Sequence, residues 1–224
     1  MPSITNEAIA LLSQLYAHKS SWACLTAFKP ISVDADTDTN IRQRHLALLA
    51  VHASPPGDDH STLVDYLLDQ ETLYHQKADH YRSALSLAAY LTATRVRTPQ
   101  SLWGIWVARE TNYDASKCVD PHYMYYAAGS LDNAESYVRG CTDVAEVVGN
   151  GAGRMVWWTG VLEDHGSNEA KALEALKEDV CARIEHDRKY GVTDETVRAF
   201  VEASWRRETR EWSQSLLLDE TWGS

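Results

Sequence analysis

Three groups of carboxylates and histidines in this chain have spacings that invite chemistry. Asp34, Asp36 and Asp38, followed by Asn40, alternate as the opening ligands of a calcium loop do, because every second carboxylate points at the same ion. The sixth position of that loop is Thr39 instead of glycine, and the twelfth is His45 instead of a bidentate glutamate. The plainer reading is a polar loop that caps the following helix and sets negative charge at its amino end. Glu71 and His75 stand one helical turn apart and face the same way, so a metal could use both, with Asp79 and His80 nearby. His75 and His80, however, are separated by roughly 140° around a helix and cannot share an ion as the pair in HExxH does. The Glu71–His75 spacing also differs from that of di-iron carboxylate bundles. The plainer reading is again a set of hydrogen-bonded polar residues on the wet edge of a helix.

Weaker patterns follow. Asp58-Asp59 resembles the aspartate-rich metal site of the all-helical isoprenoid synthases, but Thr62 occupies the fifth position and the chain is short for that fold. His186-Asp187 resembles the histidine-aspartate pair of helical metal phosphohydrolases; within EHDRK it reads better as part of a solvated, charged helix face. The GNGAG segment (Gly149, Gly151, Gly153) could cradle a phosphate at a helix amino end. It lacks a glycine at Arg154, a preceding strand and a Walker lysine, and so reads as a loop. There is no GxSxG. Cys118 lies near His122 in sequence only, and catalytic Cys-His pairs are assembled in space.

The elements that must position these residues are helices. From Leu63, apolar or amphipathic residues recur at Tyr66, Leu67, Tyr74, Tyr81, Leu85, Ala88 and Leu91 in steps built from three and four. Thr98-Pro99 announces a second helix carrying Leu102, Trp103, Ile105, Trp106 and Val107. The spacing predicts a long central helix paired antiparallel with a Trp-rich one. Earlier helices start near Thr5, cover Trp22 to Phe28, and carry Ile41, His45, Leu48 and Leu49. Later ones are expected after Pro121, Ser130, Thr142, the GNGAG loop, Ser167 and Thr193, with stops at Gly129, Gly140, Gly166 and Gly191. The fold class is therefore all-α: one domain over residues 1–224 of stacked antiparallel helix hairpins, as an irregular bundle or a short HEAT/TPR-like array. The tetratricopeptide consensus itself is absent. HASPPGDDHS, residues 52–61, marks a sub-block boundary.

The 224 residues carry a net charge of −11, which argues against a nucleic-acid backbone or an anionic membrane as partner. Eight acids (Asp34, Asp36, Asp38, Asp58, Asp59, Asp65, Asp69, Glu71) face only Arg42 and Arg44 between Ile31 and Gln76. This predicts a strongly negative face. The four cysteines form no CxxC pair and no apolar run reaches the ~20 residues of a membrane span, so a cytoplasmic chain with reduced thiols and no cofactor is expected. Eight Trp and eleven Tyr against two Phe must supply much of the core, and they are also the residues that anchor interfaces.

These features converge on a non-enzymatic, acidic protein-binding module. One concrete form is an immunity-type inhibitor that neutralises a basic toxin or enzyme by charge complementarity. Its expected contact residues are Asp58 and Asp59 from the 52–61 segment and Asp65, Asp69, Glu71 and Tyr74 from the central helix, with Asn112, Tyr113, Asp114, Tyr123 and Tyr126. Two alternatives compete: a metal-dependent helical hydrolase or synthase using Glu71, His75 and Asp58-Asp59, and a peptide-binding scaffold with a groove lined by Trp103, Trp106 and Tyr113.

Overall fold

The computed structural model describes residues 4–30, 38–55, 59–77 and 84–204. Their order is α1 (Ile4–Ala17), α2 (Trp22–Leu25), α3 (Ile41–Ala53), α4 (Ser61–Lys77), α5 (Leu85–Leu91), α6 (Ser101–Glu110), α7 (Tyr113–Cys118), α8 (His122–Ala128), α9 (Leu131–Gly140), α10 (Val144–Val148), α11 (Ala152–Asp164) and α12 (Glu169–Lys189). A last helix, α13, covers 194–204. Among the described residues there is no strand, only an isolated bridge between Pro30 and Asp38. The all-α expectation holds.

Local chemistry sets the boundaries. Thr98 accepts from the Ser101 amide through both its carbonyl (3.0 Å) and its hydroxyl (3.3 Å), leading into α6, which begins at Ser101, two residues after the Pro99 start that the Thr-Pro signal predicts. Ser130 accepts from the Asn133 amide to cap α9, and Gly129 closes α8 at φ 92°. Two starts fall one residue later than expected: Asp143 caps α10 in place of Thr142, and Asn168 caps α12 in place of Ser167. Asp outranks Thr as a cap acceptor, and Ser167, at φ 60°, lacks the extended backbone a cap requires, which Asn168 adopts.

The central helix differs from expectation. In place of one long helix through Leu91, α4 ends at Lys77 and α5 begins at Leu85; Asp79, His80, Tyr81 and Arg82 lie outside the described residues. The reason is visible at Glu71, whose Oε2 accepts the Ala84 amide at 2.8 Å. In a continuous helix those two residues would be about 20 Å apart along the axis. The chain therefore turns back, and α5 packs on α4. Beyond α5 the backbone widens into a π turn, Thr92–Val96, and Arg97 closes it in the left-handed region at φ 48°. Arg95 leaves this turn to donate to Ser54 O (2.8 Å) and Pro55 O (3.1 Å), covering the carboxyl end of α3.

One apolar core runs from Leu15 through Val64, Leu67, Trp103, Tyr123 and Ile184 to Val201. Helix α4 lies at its centre, in contact with α3, α5, α6 and α11. Its approach to α11 is close. A Cβ on Gly153 would stand 2.6 Å from Asp69 O and 3.0 Å from Leu73 N, both backbone atoms that cannot swing away. Gly160, two turns on in the same helix, has no neighbour within 4 Å of such a Cβ. Gly153→Ala is therefore expected to prise α11 off α4 and lower stability by about 1–3 kcal/mol. Gly160→Ala should raise it by up to about 1 kcal/mol through helix propensity. Urea midpoints of the two variants test this; equal shifts would show that the contact is not tight.

Candidate functional site

The residues expected to bind fall into four places. The first is interior. Arg44 lies in the apolar stripe of α3, between Ile41 and Leu48, and Glu71 lies in that of α4, between Leu67 and Tyr74. Both side chains, and that of Asp38, are fully buried. Arg44 Nε donates to Glu71 Oε1 at 2.6 Å, its Nη1 pairs with Asp38, and the guanidinium sits 5.7 Å from the Tyr74 ring centroid. Asp38 Oδ1 also accepts the amides of Lys29 and Asn40, each at 3.0 Å. Burial favours the neutral carboxylic acid at Glu71, but Arg44 outweighs it and holds the pKa below its ordinary value. His45 lies 3.9 Å from Glu71, and burial pushes its pKa down to about 4. His75 is lowered for the same reason.

This arrangement replaces the wet-edge reading of Glu71 and His75 and removes Glu71 and Tyr74 from any contact surface. It also engages the described carboxylates of two of the metal readings. Both Glu71 oxygens are engaged, one by Arg44 and one by the Ala84 amide. Asp38 is turned inward to Arg44 and two backbone amides; Asp34, Asp36 and Asp58 lie outside the described residues. Among the described residues no group of three His, Cys, Asp or Glu has the geometry of a metal site.

The second place is the α4–α11 seam. Asp69 is buried, and its Oδ1 accepts the Arg154 amide at 3.1 Å, one of the free donors at the start of α11. Arg154 Nη2 donates to Asp65 at 2.9 Å, and Gln76 donates to Gly153 O at 2.8 Å. The helix amino end that the GNGAG loop offers is thus filled by the protein's own carboxylate, where a phosphate would otherwise sit. Asp69 is a cap and not a surface charge. Asp65 remains partly exposed. Asp59, before α4, is exposed and accepts from the Ser61 amide (3.0 Å) and hydroxyl (2.7 Å).

The third place is the α8 core. Tyr123 is buried against Tyr90 and Phe200, and Tyr126 is half-buried with the Arg97 guanidinium 4.9 Å from its ring centroid. Nearby, Tyr125 donates to Asp187 at 2.6 Å and Arg183 donates to the same oxygen at 3.0 Å. Asp187 is therefore buried rather than part of a solvated face. Burial raises its pKa, but hydrogen bonds from Tyr125, His186 and Arg183 reverse this to a net lowering. Trp103 and Trp106 are buried as well, so they line no groove.

The fourth place is a surface corner between α6 and α7. Asn112 accepts the Ala115 amide at 2.8 Å and donates to His75 O at 2.7 Å, tying the corner to the carboxyl end of α4. Tyr113 follows, 74% exposed, with Lys117 Nζ 5.0 Å from its ring centroid. Asp114 is half-exposed beside it, and Glu110 is exposed and paired with Arg109 at 3.0 Å. Asp59 and Asp65 sit toward the other end of α4, so the predicted residues do not form one face. The residues missed in sequence were Arg44 and Arg95. A charge inside an apolar stripe at positions 41, 44, 48 and 51 was the available signal for Arg44.

No family model, curated protein or solved structure matches the chain. No described helix is long and apolar enough to cross a membrane.

Glu71→Gln keeps the shape and removes the charge, leaving Arg44 with less compensation in the interior. It is expected to cost about 3 kcal/mol, and Arg44→Met/Glu71→Gln together less than the sum of the single variants. Urea unfolding measures both. A Glu71→Gln loss below about 0.5 kcal/mol would place the pair among inconsequential contacts.

Proposed function

We propose that this chain is a non-enzymatic, acidic binding module for a basic protein, of the kind an immunity-type inhibitor provides against a toxin or enzyme. The observation that carries the reading is Tyr113, a large aromatic ring left 74% exposed on a corner that the Asn112 side chain ties to the Ala115 amide and to the His75 carbonyl of α4. A rigid, amphipathic ring contributes contact area with little loss of conformational freedom, which is why Tyr recurs as an interface anchor. The cation already near its face, Lys117, occupies the position a partner's Lys or Arg would take. Asp114 supplies local negative charge, and the net charge of −11 would speed encounter with a cationic surface.

Support for the predicted acidic face is narrower than the sequence implied. Of the acids between residues 31 and 76 that are described, Asp38, Asp69 and Glu71 are buried, leaving Asp59 and Asp65. We therefore take the α6–α7 corner as the binding surface.

The test is parallel capture from native lysate with the wild type and with Tyr113→Ala/Asp114→Asn, at low and moderate salt. One basic protein should be held by the wild type, fall at least tenfold with the variant and wash off as salt rises, while the variant keeps the wild-type melting temperature. Equal retention by both proteins, or no salt-sensitive basic partner, would overturn the reading.

A further inference from the structure

The amino-terminal helices are attached to the rest of the molecule in an unusual way. Helices α1 and α3 share a small core of their own, Ala8, Leu46 and Ala50, partly covered by Leu11, Leu12 and Leu49. Their docking on α4 and α5 combines the apolar contacts of Ala47, Leu48 and Val51 with a row of buried polar groups spaced along α3: Arg44, His45 and His52. Toward the start of this row, His45 faces Glu71 of α4, with Arg44 on its own helix and Asp38 from the segment before it. At the other end His52 packs edge-on against Tyr90 of α5, ring centroids 5.8 Å apart, and meets the positive charge of Arg95 from the π turn. From α1, Glu7 is engaged by Arg42 on the outer surface. His75 of α4 lies beyond Glu71, with Asp114 as its other charged neighbour.

We propose that α1–α3 form an acid-released unit: protonation of His45 and His52 undocks these helices from α4 and α5 while the helices from α8 to α12 stay folded. Burial disfavours a charged imidazole at both positions; at position 52 Arg95 adds to the penalty, and at position 45 burial and Arg44 outweigh the attraction of Glu71 and Asp38. Both imidazoles are more than nine-tenths buried, so full hydration of either cation needs α3 to move away. The two imidazoles are held neutral in the docked form, with pKa values of about 4; released into water they titrate near 6.5. The open form therefore binds more protons below that pH. The docked form has its full stability above pH 6.5 and loses it progressively down to about pH 4.

Hydrogen exchange of the full-length protein between pH 7 and 4.5, corrected for intrinsic exchange rates, decides the matter. Peptides of α1 and α3 should lose protection by up to roughly tenfold per pH unit for each proton taken up, ahead of those of α8, α9 and α12. The His45→Gln/His52→Gln variant should flatten that dependence. The proposal fails if protection in α1 and α3 holds to pH 4.5, if all helices lose protection together, or if a folded double variant keeps the wild-type slope. Should the double variant not fold, the regional comparison within the wild type still decides.

Discussion

The structure depends on a buried cation held between two carboxylates. Arg44 has no access to water, and a guanidinium in that position is tolerable only if nearby groups neutralise it and occupy its donors. Glu71 and Asp38 do so from two different parts of the chain, and each is itself fixed by backbone amides: Ala84 on Glu71, Lys29 and Asn40 on Asp38. The cluster therefore ties together the turn after α2, the start of α3, the middle of α4 and the entry to α5. Apolar burial supplies the larger driving force, but it is non-directional. The ion cluster has one low-energy geometry and so contributes to fixing which way α3 and α5 lie on α4.

Helix α4 is the element on which these constraints converge, and it uses different faces for different purposes. Val64, Leu67, Glu71 and Tyr74 recur at one helical spacing, with Glu71 turned to the Arg44 cluster. Asp65, Asp69 and Gln76 lie on another stripe and hold α11 through Arg154, its amide and the Gly153 carbonyl. The two faces share a logic. In each, α4 offers a carboxylate to an arginine and a backbone amide of neighbouring elements, so four of the acids in the run are engaged with two arginines within the fold.

That has a functional consequence. A run of acids can mark a surface for a basic partner or a set of internal braces, and here most of the described acids in the run are braces. The recognition surface we propose lies elsewhere, at the corner where Asn112 bonds the end of α4 and Tyr113 is exposed. The aromatics divide in the same way: Trp103, Trp106 and Tyr123 fill the core, and Tyr113 is left at the surface.

Several features were determined by the sequence alone. The steps of three and four in the apolar residues made the chain helical, and Thr98-Pro99, Ser130 and the glycines at 129 and 191 set helix ends, because capping is settled by a few neighbouring residues. The burial of Arg44 and Glu71 was not read from the sequence, although both stand at core-facing register in their helices, the one local sign that each must meet an opposite charge. Which opposite it meets was not legible. The pairing of Arg44 with Glu71, the reach of Asp69 to the start of α11 and the return of α5 onto α4 join residues 13 to 85 positions apart. Such contacts depend on how the helices stack, which local spacing does not encode. Only the tertiary structure decided which acids and aromatics stayed in water.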